Sequence, residues 1–452
     1  MSETPLYDAL LKRAEAGFAR FHMPGHKGRS IDSLPLLDVS LDLTEIEGTG
    51  SLYEGIPPIS DAEALCAKAW GAKDAFFLTG GSSQGVRAAV AAGCKPGGTL
   101  ICDRSAHISL HSALVMLDLR VEYIPTEMVK GFGAAGPISA EGLDRLIERT
   151  PDACGIFITS PTYYGVVQDI PAIASIAEKH GLPLIVDEAH GAHFPFCEGF
   201  SGAVAAGADL AVCSMHKTLP ALGQSALVTS SGRVPGEKIR EACRNFGSTS
   251  PSYIMMANMD ICRAFMYNEG RQRLKQNILR LETLSEKLRA AGFAILSHRL
   301  PCDPARLTLS AASVGFSGHE AKTLLEGKRV VPEMADSANL VFIISPFDSG
   351  EDFERLERAL LELVAEKRPP LAVETADIPL PVFALRPREA ALSDERAVRL
   401  ENCAGLVASR PISLFPPGIQ LAGAGETITQ EHIALLTAGG ITPEQMIFTV
   451  VR

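Results

Sequence analysis

The chain has 452 residues, of which 46% are hydrophobic and 21% charged, a composition typical of a folded protein with a sizeable core and two or three domains. Its net charge of −11 argues against nucleic acid or an anionic membrane surface as the main partner. The ten cysteines form no C-x-x-C pair, and the sequence has neither a membrane-length apolar run nor a signal-peptide core, so we predict a reduced, cytoplasmic protein outside the membrane.

Strand-length apolar runs alternate with helical patterns from Ser60 onward. Before them, residues 1–50 form a polar, turn-rich arm with one helix candidate, Leu6–Ala16. The predicted strands are Ala75–Leu78, Thr99–Cys102, Val121–Ile124, Gly155–Thr159, Pro183–Val186 and Leu210–Cys213. The predicted helices are Ala62–Trp70, Ser83–Ala92 and Ala172–His180. This alternation predicts an α/β fold with a mostly parallel, doubly wound sheet.

The pattern changes after a long, charged amphipathic stretch, Met266–Ala291, which predicts a linking helix. Shorter predicted strands and helices follow at Ala305–Ser310, His319–Leu325, Leu340–Ser345 and Asp352–Glu366. They predict a smaller α+β domain, and Arg368-Pro369-Pro370 marks another boundary. We therefore expect an N-terminal arm (1–50), a large α/β domain (51–285), a small α+β domain (286–368) and a C-terminal domain (369–452).

Two polar motifs directly follow predicted buried strands: Asp187-Glu188-Ala189-His190 and Ser214-Met215-His216-Lys217. Ligands of open α/β sheets bind beyond the carboxyl ends of the strands, so both motifs are expected at one site. An amine and a carboxylate there suit pyridoxal phosphate (PLP), because Lys217 can form a Schiff base and Asp187 can keep the ring nitrogen protonated. Taken singly, Lys217 would be a surface lysine and Asp187 a helix cap, but together they favour the cofactor.

A glycine-rich loop, Gly80–Gly85, lies between a predicted strand and a predicted helix. Its backbone, with the hydroxyls of Ser82 and Ser83, can hold a phosphate, although a tight turn before a capped helix explains the loop equally well. His107 follows another strand end, where its ring can stack on a cofactor or simply be solvated. His107 and His111 have metal-ligand spacing, but H-E-x-x-H also requires a Glu after the first His, so no metal is expected.

Longer motifs reveal a family resemblance. The chain resembles the ornithine/lysine/arginine decarboxylases of PLP fold type I, in the short form without the N-terminal wing domain. The motifs that carry the resemblance, in chain order, are Phe21-His22-Met23-Pro24-Gly25-His26-Lys27-Gly28, Thr159-Ser160-Pro161-Thr162-Tyr163-Tyr164-Gly165, Asp187 to Phe194, Ser214 to Pro220, Ser248 to Tyr253, Arg388-Glu389-Ala390 and Phe415-Pro416-Pro417-Gly418-Ile419. They extend over almost the whole chain and imply an aminotransferase-like large domain with smaller C-terminal α+β domains.

The resemblance implies a role for each candidate residue. Lys217 should carry PLP, Asp187 should pair with the ring nitrogen and His107 should stack on the ring. The residues expected at the phosphate are Ser82, Ser83, Ser214 and His216, with Gly81 contributing its backbone. Family members are dimers or larger homo-oligomers with shared active sites, so Thr249 should reach the phosphate of the neighbouring subunit.

The implied reaction is α-decarboxylation of a small-molecule amino acid substrate, with arginine favoured and lysine next. His190 or His216 is expected to assist, and we place His190 in the catalytic group with Lys217, Asp187 and His107. Glu45, Glu47 and Glu54 are candidate carboxylates for a basic substrate side chain. Two alternatives stay open: another fold-type-I reaction such as aminotransfer or carbon–sulfur lysis, and a non-catalytic regulator that binds PLP.

Overall fold

The computed structural model describes residues 17–23, 25–27, 29, 41–373, 378–413 and 419–451. The predicted helix Leu6–Ala16 and the Phe415-Pro416-Pro417-Gly418 motif lie outside the described residues. The strands up to residue 230 are β1 (Ala19–Phe21), β2 (Asp74–Leu78), β3 (Thr99–Cys102), β4 (Arg120–Tyr123), β5 (Met128–Val129), β6 (Ala134–Ala135), β7 (Ala153–Thr159), β8 (Leu184–Asp187), β9 (Leu210–Ser214) and β10 (Ala226–Ser230). The helices up to residue 290 are α1 (Ile59–Trp70), α2 (Gly81–Gly93), α3 (Ile108–Leu117), α4 (Ala140–Glu148), α5 (Ile170–Lys179), α6 (Met215–Thr218), α7 (Gly236–Asn245), α8 (Tyr253–Phe265) and α9 (Arg271–Ala290).

A seven-stranded sheet in the order β2-β10-β9-β8-β7-β3-β4 forms the centre of this part of the chain. Strand β10 is antiparallel to both of its neighbours, and the other six strands share one direction. The predicted mostly parallel α/β sheet is therefore confirmed. The sequence analysis missed β10, whose apolar residues lie only a short turn beyond the Lys217 motif.

Helices cover both faces of the central sheet, as expected for strands that are apolar on both sides. In β8, Ile185 packs with α2, α3 and α7 on one face. Leu184 and Val186 point the other way and pack with α4 and α5. This alternation follows from the two-residue period of a strand, and it leaves the strand ends as the accessible edge.

The elements after residue 290 form two further units. Their strands are β11 (Ala294–Ile295), β12 (Arg306–Ser310), β13 (Val330–Pro332), β14 (Met334–Ala335), β15 (Asn339–Ile343), β16 (Glu395–Arg399), β17 (Ile412–Ser413), β18 (Gln420–Ala422) and β19 (Met446–Val450). Their helices are α10 (Gly318–Gly327), α11 (Gly350–Ala365), α12 (Pro387–Leu392) and α13 (Gln430–Ala438). The first unit is a four-stranded antiparallel sheet, β11-β12-β15-β14, and the second contains the pairs β16-β19 and β17-β18.

The structure confirms the helix predicted at Met266–Ala291 but extends it, and it corrects the prediction for the arm. The predicted linking helix Met266–Ala291 is the second part of a longer helical run that begins with α8 and passes through a π-helical turn, Met266–Gly270, into α9. The arm is not polar throughout, because β1 pairs in parallel with β13 and buries Phe21 edge-on against Phe342, with 5.9 Å between ring centres. The predicted boundary at 285/286 falls inside α9, and the domain boundaries stay predictions.

Candidate active site

The two predicted motifs lie at the same edge of the central sheet. Strand β8 ends at Asp187, and its parallel neighbour β9 leads into the single helical turn α6, which carries Lys217. Burial lowers the pKa of Lys217. The carboxylates of Asp187 and Glu333 oppose that shift, whereas the guanidinium of Arg306 adds to it. The lysine therefore lies within the electrostatic reach of all three groups.

His190 lies between Lys217 and Arg306. Its Nε2 is 3.1 Å from Lys217 Nζ, and its Nδ1 is 3.2 Å from Arg306 Nη2. The ring of Tyr163 meets the imidazole edge-on, with 4.9 Å between ring centres. Burial, reinforced by the two neighbouring cations, holds the pKa of His190 well below its ordinary value, so the imidazole is neutral.

His107 caps helix α3 at the same edge. Its Nδ1 accepts a hydrogen bond from the backbone N–H of Ser109 at 3.2 Å and lies 2.9 Å from the Ser109 hydroxyl. Burial lowers the pKa of His107, Asp187 raises it and Lys217 lowers it. The ring therefore lies close enough to both predicted cofactor residues to respond to their charges, and its orientation is fixed by the cap.

The glycine-rich loop begins helix α2 and leaves its first turn open. Gly81 adopts a φ of +72°, a left-handed conformation that favours glycine, and Gly80 N–H donates to the Gln84 side chain at 2.8 Å. Ser82 and Ser83 follow with partly exposed side chains. A phosphate in this position would meet free backbone N–H groups and two hydroxyls.

The remaining predicted cofactor residues fall into two groups. Ser214 is fully buried, and its hydroxyl has no hydrogen-bond partner. His216 Nδ1 donates to the Ser225 carbonyl at 3.0 Å, which turns Nε2 outward as an acceptor or a second donor. Thr249 is not part of this cluster, because it lies exposed in the segment between α7 and α8.

The predicted substrate carboxylates lie elsewhere. Glu45, Glu47 and Glu54 are exposed, and Glu54 pairs with Arg244 at 2.7 Å. Glu333, together with Asp187, instead supplies a carboxylate that acts on Lys217; it accepts hydrogen bonds from the Tyr163 hydroxyl at 2.5 Å and from Met23 N–H at 2.8 Å. Sequence reasoning missed Glu333 because no motif surrounds it and only the fold brings β13 to this edge.

Described residues of the Phe21–Lys27 motif also touch the site. Gly25 N–H donates to the His216 carbonyl at 2.8 Å, directly beside Lys217. The buried Lys27 ammonium donates to the His22 and Ile343 carbonyls, both at 2.9 Å. The sequence analysis singled out this motif without a role, and the structure shows that it braces the loop of Lys217.

Replacing Gly25 with alanine should disturb that brace. A Cβ atom at Gly25 would lie 2.6 Å from the Leu219 carbonyl oxygen, so the backbone of one segment must move. We expect the Gly25→Ala variant to lose about 1–3 kcal/mol of stability in urea unfolding and to release PLP faster. Gly223→Ala is the matched control, because a Cβ there meets nothing within 4 Å. Equal loss in both variants would contradict the brace.

Family comparison connects this geometry to known chemistry. Residues 4–298, more than half of the chain, match the family described as Orn/Lys/Arg decarboxylase, major domain. The chain belongs to the Orn/Lys/Arg decarboxylase family. It is 32% identical to an arginine decarboxylase of Bacillus subtilis over 96% of this chain and 93% of that protein. The constitutive lysine decarboxylase of Escherichia coli is 23% identical over 88% of this chain and 69% of its own length.

Solved structures extend the comparison to the fold. The E. coli constitutive lysine decarboxylase matches with a TM-score of 0.76 and 20% identity, over 91% of this chain and 75% of that chain. An L-threonine transaldolase from Pseudomonas fluorescens matches with a TM-score of 0.58 and 16% identity, over 78% of this chain and 79% of that chain. The predicted PLP fold type I is therefore confirmed.

Members of the Orn/Lys/Arg decarboxylase family use PLP to decarboxylate basic amino acids, so the chain is a PLP-dependent amino acid decarboxylase. The residues fit the cofactor. Ser214 offers a buried hydroxyl without a partner, the loop at Gly81 offers open N–H groups, and Lys217 offers an amine whose pKa burial lowers. Among the described helices, none combines the length and apolar character needed to cross a bilayer.

Proposed function

We propose that this chain decarboxylates arginine to agmatine and CO2, with lysine as the second candidate. The observation that supports arginine as the substrate is a pair of matching proteins, from Bacillus subtilis and Bacillus anthracis, that are named arginine decarboxylases. They are 32% and 30% identical and are covered over 93% and 92% of their own lengths. The matching lysine decarboxylases are 23% identical and extend well beyond the aligned region.

In this proposal the cluster divides into three groups. Lys217 would bind PLP covalently, Asp187 would keep the ring nitrogen protonated, and His107 would stack on the ring. The phosphate is held by the first turn of α2 and the α6 turn, through Gly81, Ser82, Ser83, Ser214 and His216. His190 and Glu333 face the remaining side, where the substrate enters.

PLP supplies an electron sink that accepts the electron pair left when the carboxylate departs as CO2. The chain's own residues prepare that step. Asp187 is 4% exposed and accepts the Ala189 N–H at 3.1 Å, so its carboxylate is held in the orientation in which it would pair with the ring nitrogen. The neutral His190 lies within hydrogen-bond distance of Lys217, where it can orient the lysine amine. Burial of this edge excludes water and strengthens both interactions.

Glu333 should determine the preference for a basic substrate. Its carboxylate is oriented by Tyr163 and by the Met23 N–H, and it is one of the charges that act on the pKa of Lys217. Glu333→Gln removes that charge with little change of shape, so we expect the KM for arginine to rise about 10- to 100-fold in steady-state assays. Glu362→Gln, which removes only the partner of the exposed Lys328, is the control. An unchanged KM would exclude Glu333 from substrate binding.

The substrate assignment is tested by CO2 release from arginine, lysine and ornithine with the PLP-loaded protein. We expect arginine to give the highest kcat/KM. Lys179→Ala, which removes an exposed ion pair between Lys179 of α5 and Asp144 of α4, should leave this rate unchanged. Faster CO2 release from lysine would make lysine the substrate and leave the assignment as a decarboxylase unchanged. Keto acid formation without CO2 would contradict decarboxylation.

We further propose a homodimer or larger homo-oligomer located in the cytoplasm. The exposed position of Thr249 supports a role toward a neighbouring subunit, because its side chain is free to meet another copy. Mixing Lys217→Ala and Thr249→Ala proteins tests this role. Hybrid dimers would then contain one intact site, so activity should reappear after subunit exchange. No recovery from a pair shown to exchange would contradict a shared site.

A further inference from the structure

A continuous line of buried polar side chains leads from Lys217 into the four-stranded unit. Lys217 Nζ lies 3.1 Å from His190 Nε2, and His190 Nδ1 lies 3.2 Å from Arg306 Nη2. The same guanidinium is 3.6 Å from Asp303 Oδ2, and Asp303 Oδ1 is 2.7 Å from His193 Nε2. The four residues beyond the lysine are each at most 6% exposed. So much buried charge is costly unless every group has a defined partner.

The hydrogen-bonding capacities of these groups fix the proton on His190. A guanidinium only donates, so His190 Nδ1 must be the acceptor toward Arg306. A neutral imidazole carries one proton, which therefore lies on Nε2 and points at Lys217 Nζ. Lys217 must then offer its lone pair. An ammonium in the same place would set one donor against another at 3.1 Å.

Arg306 is itself held from two sides. Its Nη1 donates to the Tyr163 carbonyl at 2.7 Å, and Asp303 faces its Nη2. Asp303 is in turn fixed by His193 and by the backbone N–H of Ala305 at 2.8 Å. The guanidinium therefore has one orientation, and that orientation sets the tautomer of His190.

We propose that Arg306 is a positioning residue that fixes His190 as a hydrogen-bond donor toward Lys217, so that the lysine amine is kept as an acceptor. An amine in that state is ready to react with an aldehyde. The charged and titratable groups that act on His190 are Lys217, Arg306, His107 and His216, and those that act on Lys217 are Asp187, Arg306 and Glu333. The inference rests on the proposed role of Lys217 as the cofactor lysine.

The first test follows covalent capture of PLP by the cofactor-free full chain as a function of pH. The midpoint reports the pH at which the Lys217 amine loses its proton. We expect Arg306→Gln and His190→Ala each to raise this midpoint by roughly one pH unit, and the double variant to raise it by clearly less than the sum of the two single shifts. A double shift equal to that sum would mean that Arg306 acts on Lys217 only through its own charge and would overturn the proposal. Arg240→Gln, which removes an arginine paired with Glu63 away from the site, is the control and should not move the midpoint.

The second test does not depend on whether an Arg306 variant folds. The ¹⁵N spectrum of the histidine-labelled chain distinguishes the two imidazole tautomers, and His190→Gln identifies the signals of His190. We expect neutral His190 with its proton on Nε2. A proton on Nδ1 would overturn the inference even if Lys217 binds PLP. Failure of the wild-type chain to capture PLP at all would instead contradict the proposed function, so the two failures are distinguishable.

Discussion

Lys217→Ala should reduce decarboxylation by more than about a thousandfold and abolish the visible absorbance of covalently bound PLP. Lys217 lies at the carboxyl edge of the central sheet. Its amine is 3.1 Å from the neutral imidazole of His190, and the nearby carboxylates of Asp187 and Glu333 act on its pKa. Without the amine, the protein loses the group that we propose binds PLP covalently. The measurement is CO2 release from arginine beside an absorbance spectrum of the dialysed protein.

Two controls separate lost chemistry from lost structure. Lys179→Ala removes an exposed lysine on α5 and should retain full activity. Addition of a small primary amine to Lys217→Ala should restore part of the rate, because the missing group is then supplied from solution. A Lys217→Ala protein that keeps a tenth or more of the activity would show that another amine binds the cofactor.

The sequence predicted the central sheet and the two strand ends that carry Asp187 and Lys217. The apolar runs before Asp187 and Lys217 are buried on both faces, so their signal is strong, and the carboxyl edge of a parallel sheet is a known ligand site. The comparisons bear out the family, the fold and the cofactor. The roles of the individual site residues, those of Lys217 and Asp187 included, stay predictions.

The sequence did not predict the residues that surround Lys217 from the second half of the chain. Arg306 lies in the short strand β12 and Glu333 in the bend between β13 and β14, neither within a recognisable motif, and only the fold brings them to the lysine. The sequence analysis proposed Glu45, Glu47 and Glu54 as the substrate carboxylates instead. A sequence shows which residues are neighbours within a motif, but it does not show long-range contacts.

The contacts of the C-terminal unit are long-range as well, and the sequence did not predict them. This unit holds the loop that precedes His107. Arg104 forms a two-pronged ion pair with Glu426, with both nitrogen–oxygen distances at 3.2 Å, and lies 4.0 Å from the ring centre of Tyr123. Gln420 adds two backbone contacts, to the carbonyl of Arg104 at 2.8 Å and to that of Ala106 at 3.1 Å. His107 immediately follows this anchored loop.

Glu426→Gln should therefore weaken both the fold and cofactor retention. Arg104 and Glu426 are 5% and 0% exposed, so neutralising the carboxylate leaves a buried guanidinium without its counter-charge and should cost roughly 3 kcal/mol of unfolding free energy. Because the loop also positions His107, PLP should dissociate faster from the folded variant. Glu395→Gln breaks the solvent-exposed pair with Arg410 in the same unit and should cost less than about 1 kcal/mol, with PLP retention unchanged. Urea unfolding with an absorbance-based release assay measures both effects. Equal costs in the two variants would show that the Arg104–Glu426 pair contributes no more than a surface ion pair.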